Sequence, residues 1–451
     1  MAWGLAAQAQ DRAEQLNMAL AGHHDLQGRS AYQPVVHAQG GRWIAYIGLH
    51  GGNAPNVLNG RTESNGTAVL DVTEPKRPKL LAHIPGAPGG GAQMVRVCNG
   101  AELPRADRGK VYLLRTFGNS AHEVWDVTDP ARAALVSTVA SGLHGTHKNW
   151  WECDSGIAYL VSGVPGWRTS RMTQIYDLAD PAQPVFIRNF GLPGQQPGAS
   201  GPVPTELHGP ISTGPKGKRV YFGHGTSSYG ILQIVDRDKL LSGPKEPTEE
   251  NLLYPQLGRL DLGPDAGAHT AFPLRGMEVA GPDGNKRDNG RDFVVVTSES
   301  LAEECREPRQ KAWMVDVSAE ARPQVVANWT VTDASGDFCR RGGRFGTHSS
   351  NESFAPIYYK RIMFFAHFNA GVRAVDIRDP YRPKEIGYYI PAAAGAADTR
   401  CRYPAGGCKG VIHTNNVEVD ERGYIYIVDR AGGGMHILEL SGPARAIAAL
   451  K

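Results

Sequence analysis

The chain has 451 residues, 41% hydrophobic and 21% charged, with 55 glycines and 31 prolines. Without a long amphipathic helical stripe, that balance reads as many short strands joined by turns. A net charge of +3, with no Lys/Arg cluster interleaved with aromatics, makes nucleic acid a poor partner. No apolar run reaches the ~18 residues of a membrane span.

The chain opens MAWGLAAQAQDRAE, a short apolar stretch with a small-x-small site at Ala7–Ala9. Residues 1–15 read as the remnant of a secretory signal or a disordered start, ahead of one domain over 16–451. From there a phrase recurs: alternating apolar residues, Asp, an apolar residue, then a turn, most often with proline. It reads GTAVLDVTEPKRPKLLAHIPG at 66–86, AHEVWDVTDPARAALVSTVA at 121–140 and TQIYDLADPAQPVFIRNFGLPG at 173–194. It returns as GILQIVDRDKLL at 230–241, KAWMVDVSAEARPQVVANWTV at 311–331, GVRAVDIRDPYRPKEIGYYIP at 371–391 and GMHILELSG at 434–442.

Each phrase is a pair of period-2 strands around a turn in which Asp caps free N–H groups and Pro presets φ. The recurrent Asp71, Asp126, Asp177, Asp236, Asp316 and Asp376 are therefore structural. Two further strands precede each phrase, so one repeat is a four-stranded blade, A to D. The seventh copy stops after its third strand, and NMALAGHHDLQG (17–28) has the pattern of the missing fourth. The expectation is an all-β, seven-bladed β-propeller closed by its N-terminal strand. The seven phrases resemble the LVIVD repeat family, whose members are read as propellers, and the resemblance covers nearly the whole chain.

Six cysteines never form CxxC. Cys401 and Cys408 bracket a Pro-x-Gly-Gly turn and suit a short disulfide loop; Cys98 with Cys153, in adjacent blades, and Cys305 with Cys339 are the next expected pairs. Such usage fits an oxidising compartment, hence a periplasmic or secreted protein.

Histidine recurs at the start of strand A in five consecutive blades: His147, His208, His269, His348 and His413, spaced 61, 61, 79 and 65 residues apart. Strand A is innermost, so these five imidazoles should converge on the channel as ligands of one transition metal, copper first, then iron, zinc or manganese. Blades one and two offer Tyr32 or Gln33 and Ala92 or Gln93 instead. Strand B returns to the same mouth and ends at His50, His224, Glu299, His367 and Asp429. Of these, His50, His224, Glu299 and His367 are the candidate catalytic residues for handling protons or substrate. Glu206, Asn149 and Asn415 are candidates to orient the ligands. Trp150 and Trp151 read as packing between blades.

In layout, the channel histidines resemble two propeller families. Carotenoid cleavage oxygenases hold iron with four axial histidines, and selenium-binding proteins of the methanethiol oxidase family have channel histidines implicated in copper binding. The expected function is a metal-dependent oxidase or oxygenase acting on a small-molecule substrate. The alternatives are a non-catalytic propeller scaffold for a protein or surface, and a metal-dependent hydrolase or lactonase. A homo-oligomer stays open.

Overall fold

The recurrent Asp makes the turn each phrase needs. Asp71, Asp126, Asp177, Asp316 and Asp376 each accept the backbone N–H two residues on through Oδ1. Asp236 instead accepts from Lys239 and caps a short helix, Arg237–Ser242, inserted in blade four. The two strands flanking each turn pair antiparallel, and every blade with a full phrase carries a bulge in the C–D ladder.

The computed structural model describes residues 12–279, 290–393 and 410–449. Seven antiparallel sheets of at least four strands follow one another along the chain. Blade one is Ala31–Gln39, Arg42–Leu49, Thr67–Asp71 and Lys79–Ile84. Blade three is Asn149–Trp151, Ile157–Ser162, Met172–Asp177 and Val185–Phe190, and the intervening and later blades repeat that meander. The cores lie between blades rather than within them. Tyr159, Ile175 and Phe190 of blade three, for example, pack with Leu207, Phe222 and Val235 of blade four.

Closure is as the sequence implies. Met18–His24 pairs antiparallel with Met435–Leu440 and is the outer strand of blade seven. Met18 is 1% exposed within a core shared by blades six and seven. The start of the chain does more than expected. Residues 14–16, the first two of them assigned above to a signal remnant or disordered start, form a fifth strand on blade six, pairing with Tyr388–Ile390. Glu14 reinforces it by pairing with both terminal nitrogens of Arg341. Residues 1–11 lie outside the described residues.

Two disulfides staple the ring, Cys98–Cys153 across blades two and three and Cys305–Cys339 across the Leu301–Arg344 region, each with Cα atoms 5.4 Å apart. Cys401 and Cys408 lie outside the described residues. Loops of this length imply about 4 kcal/mol of stabilisation per bridge. Thiol titration of the denatured, unreduced protein should therefore find at most two thiols. Reduction should lower the melting temperature, and six titratable thiols in protein from an oxidising compartment would contradict both bridges.

Candidate metal centre

Strand A starts each blade at the channel, and in several blades its first residues are bulged. In blade one the register slips between Ala31 and Gln33, in blade four between Leu207 and Gly209, and in blade seven between Thr414 and Asn416. The residue left over at each bulge, Tyr32, His208 and Asn415, turns its side chain to the axis. Together with Gln93, His147, His269 and His348 they form one ring with a single residue from each blade.

The ring is continuous. Tyr32 Oη lies 3.1 Å from His147 Nε2, which lies 2.9 Å from His208 Nε2. The His208 and His269 rings have centroids 3.6 Å apart, and those of His269 and His348 are 4.5 Å apart. His348 Nδ1 bonds the Asn415 carbonyl, and Asn415 Nδ2 donates to the Tyr32 carbonyl at 3.2 Å. Glu299, at the end of strand B of blade five, reaches over this ring. Its Oε2 lies 3.9 Å from His208 Nε2 and 3.7 Å from His269 Nε2, and its Oε1 is 3.7 Å from His348 Nε2. His208, His269 and Glu299 thus offer three ligand atoms within 4.8 Å of one another.

Hydrogen bonds at the far side of the rings set which nitrogen faces inward. The side-chain amide oxygen Oε1 of Gln93 lies 2.7 Å from His147 Nδ1, and the Asn415 backbone carbonyl accepts from His348 Nδ1. Both rings therefore carry their proton on Nδ1 and present an Nε2 lone pair to the centre. His269 Nδ1 is held 2.9 Å from Thr270 Oγ1, leaving its buried Nε2 without a hydrogen-bond partner. Burial lowers the pKa of His147, His208, His269 and His348 well below the usual imidazole value, and neighbouring cations add to the effect. The imidazoles are neutral, the state that binds metal. Burial raises the pKa of Glu299, against the opposing pull of Arg344, Arg430, Arg171 and Lys148.

The donor set fits a cation. Ligand atoms about 2.1 Å from a common ion stand roughly 3.0–3.4 Å apart at octahedral or tetrahedral angles. The separations here, 2.9 Å and 3.7–3.9 Å, bracket that range.

Three expected residues stand elsewhere. His413 does not join the ring; its carbonyl accepts from Arg430, as that of Glu206 accepts from Gly225 in blade four. Residue 413 thus matches Glu206, and the match to His208 is Asn415, two residues on. The His413 ring is buried, with Nε2 accepting the Arg344 backbone N–H at 3.0 Å. His224 and His367 each lie one residue short of the position that overlooks the ring. In a strand that slip turns the side chain to the opposite face. His224 packs against Phe222 and lies 3.3 Å from Gln233 Oε1. His367 sits between Phe345 and Trp329 in a hydrophobic core.

His50 does border the ring, its imidazole edge-on to Tyr32 with centroids 5.1 Å apart and its Nδ1 3.2 Å from Ser30 Oγ. Asn149 is buried, with neither side-chain polar atom hydrogen-bonded, and Glu206 is held by Ser170 rather than by any ring histidine. Trp151 packs between blades two and three, and Trp150 lines a cavity of about 340 Å³ toward the other end of strand A.

No protein-family model matches the chain, so membership of the LVIVD family is not shown, and no curated protein matches it. Among solved structures it is similar to Chaetomium thermophilum Sqt1, crystallised bound to the N-terminus of the ribosomal protein L10. That likeness has a TM-score of 0.47 at 10% identity, and it covers 92% of this chain and 89% of the other.

Buried histidines away from the ring make stability depend on pH. His122, His224 and His436 are buried with pKa values lowered, mainly by burial, to about 4, about 3 and about 3. Each takes up its proton near pH 6.5 when unfolded, so stability is full above that value and lost as pH falls toward the folded pKa. The loss is about 2 kcal/mol per histidine at pH 5. Denaturant midpoints should fall steadily between pH 6.5 and pH 4, and the slope should flatten in a His224→Gln variant. A midpoint independent of pH over that range would contradict the assignment.

Proposed function

We propose that the axial ring holds one transition-metal ion through His147, His208, His269 and His348, with Glu299 as a fifth ligand or a carboxylate beside it, and that the protein is a metal-dependent oxidoreductase acting on a small molecule. The observation that carries the reading is the common aim of the imidazoles. Two have Nδ1 committed to carbonyl acceptors, and His269 keeps a buried, unpaired Nε2. A buried polar atom without a partner costs about 1–3 kcal/mol, which a bound ion would offset.

Neutral nitrogen donors with one carboxylate favour copper, then iron, zinc or manganese, over magnesium or calcium. Such an ion supplies redox or Lewis-acid chemistry at the channel. The chain's own residues supply the rest. Tyr32 keeps its phenolic proton, because burial raises its pKa well above the usual value, and that hydroxyl stands beside the proposed site, 3.1 Å from His147 Nε2. Gln93, Thr270 and the Asn415 carbonyl fix ring orientation. Glu299 is the one carboxylate facing the imidazoles among the described residues, positioned to hold or pass a proton at its Oε atoms. The scarcity of carboxylates disfavours a hydrolase of the calcium-dependent kind. The two disulfides support an oxidising compartment, and a periplasmic or secreted location is part of the proposal. Among the described residues no helix is long and apolar enough to cross a membrane.

The test is metal analysis of untagged protein, with calorimetric titration of Cu(II), Zn(II) and Fe(II) into the chelator-treated form. One ion per chain is expected. Stoichiometric binding that survives in a His208→Ala, His269→Ala double variant would overturn the site. A protein that takes up no metal would favour the non-catalytic scaffold.

A further inference from the structure

At the end of the strands opposite the ring, four consecutive blades frame a cavity of about 340 Å³. That volume is in the range of small-molecule pockets, roughly 300–1,000 Å³. Trp150 is in strand A of blade three, Gly214 follows strand A of blade four, and Arg275 is in strand A of blade five. Phe354 and Tyr359 lie between the first two strands of blade six. The walls are aromatic and held in place by the protein itself. The rings of Trp150 and Phe354 meet edge to face with centroids 6.1 Å apart, and those of Phe354 and Tyr359 do so at 5.4 Å. Phe354 stacks on the buried Phe272 at 4.8 Å. Tyr359 Oη accepts the Arg275 backbone N–H at 3.0 Å and donates to the Pro273 carbonyl at 3.2 Å. The Arg96 guanidinium packs 4.4 Å from the centre of the Trp150 ring. All three wall rings stay half-buried, so they keep surface for a ligand.

The charge left unanswered along this lining is negative. Glu152 is buried, with Arg237 engaging both its carboxylate oxygens and Tyr159 donating to it at 3.0 Å. Arg275 pairs with Asp292 at 3.2 Å and donates to the Gly217 carbonyl. Arg96, against Trp150, shares the Glu352 carboxylate with Lys148. Asp154 is exposed and makes no hydrogen bond or ion pair through its side chain among the described residues. Gly214 faces it at φ +68°, where a Cβ would stand 3.4 Å from Asp154 Oδ1, so glycine keeps that carboxylate clear. A neighbouring cavity of about 570 Å³ shares Phe354 and is lined by Glu102, Asp420 and Glu421 but by no Lys or Arg. Of those three acids, only Asp420 has an ion pair among the described residues, with Arg422.

We infer that this cavity binds a small organic cation with an aromatic body, which packs on Trp150, Phe354 and Tyr359 while its ammonium group meets Asp154. Aromatic walls alone would take a neutral ring equally well. The carboxylate sets the preference, through a charge-assisted hydrogen bond and its own field, and the aromatic faces add attraction for the same sign. Binding should therefore weaken with salt. The cavity lies at the other end of strand A from the histidine ring and needs no metal, so the inference stands apart from the proposed function.

The experiment titrates chelator-treated protein calorimetrically with three probes of similar size: phenethylammonium, the neutral 2-phenylethanol and the anionic phenylacetate. The cation should bind about tenfold tighter than either of the others, or more. Asp154→Asn should remove that preference, weakening phenethylammonium by about tenfold and leaving 2-phenylethanol within roughly twofold. Phe354→Leu should weaken cation and alcohol alike, because it removes a wall that both use. Asp154 is exposed, so its variant should melt with the wild type and keeps the test valid if Phe354→Leu fails to fold. The His208→Ala, His269→Ala double variant should bind phenethylammonium as the wild type does, which separates this cavity from the ring. A wild type that binds none of the three probes, binds all equally or prefers phenylacetate would overturn the inference. So would a phenethylammonium affinity indifferent to Asp154→Asn.

Discussion

Deleting residues 1–24 should cost the protein most of its stability. The segment supplies the whole outer strand of blade seven and the fifth strand of blade six. Its removal uncovers Leu438 and Leu440, both fully buried, and takes away Met18 from the core between those blades. Burial of each such side chain is worth about 1.5–3 kcal/mol, and Arg341 loses its partner Glu14 as well. Two strands would be left with unpaired edges, a template for association between chains. The sum rivals the roughly 5–15 kcal/mol that separates folded from unfolded domains. The truncated chain should melt at least roughly 10 °C lower or be recovered only as aggregate. A soluble truncated protein with an unchanged melting point would show that the N-terminal strands are not the closure.

A milder version separates pairing from burial. Met18→Lys keeps the backbone ladder but places a charge in the shared core of blades six and seven. It should destabilise by about 3 kcal/mol or more and leave oligomeric state unaltered. Lengthening the fifth strand's contacts has no counterpart at Leu16, which is 50% exposed. Leu16→Lys should therefore be near neutral, and the contrast between these two positions tests the register directly.

The fold was legible because one strand-pair phrase recurs seven times, five of them with an Asp that caps its own turn. That Asp, and a proline that ends a ladder, are local signals, readable without knowing what the strands pack against. The ring was half legible for the same reason. Strand A starts at the axis in every blade, so recurrence of His at its start identified His147, His208, His269 and His348. What could not be read was the bulge. An extra residue changes which side chain faces inward without altering the apolar alternation on either side. In blade seven it hands the axial place to Asn415 and sends His413 to the Arg344 backbone. In blade one it selects Tyr32 over Gln33, two choices the residue pattern left open. The strand B ends failed by one residue for a related reason. His224 is the residue before Gly225 and His367 the residue before Phe368, whereas by register His50 occupies the place of Gly225 and Glu299 that of Phe368. A period of two converts that single step into opposite faces. A signal was present: Glu299 is the only acidic residue among the four, Ser298 to Leu301, that follow strand B of blade five before Ala302.

Replacing His208 and His269 together by alanine should abolish metal binding, and this variant separates the proposed function from its rivals. These two rings share the closest stacking in the cluster, and both face Glu299 Oε2. Their loss removes two of the three ligand atoms that lie within 4.8 Å of one another, leaving Glu299 without a nitrogen partner in that group. Losing one imidazole from a tight site typically costs affinity by orders of magnitude, because the remaining donors cannot all reach the ion at ~2.1 Å. Metal uptake should therefore fall below stoichiometry even in excess Cu(II) or Zn(II). The effect on folding should run the other way. The rings are neutral and buried, and His269 Nε2 has no partner, so the apo-protein gives up an unsatisfied polar atom while losing packing. The chelator-treated double variant should melt within a few degrees of the chelator-treated wild type. The wild type alone should gain stability on metal addition, by about 4 kcal/mol at a thousandfold excess over the dissociation constant. Asn415→His supplies the converse, since it restores the imidazole that blade seven lacks at the axis. It should tighten metal binding or shift the copper spectrum toward an additional nitrogen donor. A double variant that unfolds with or without metal, together with an Asn415→His variant that changes neither affinity nor spectrum, would instead mark these histidines as packing residues of a scaffold.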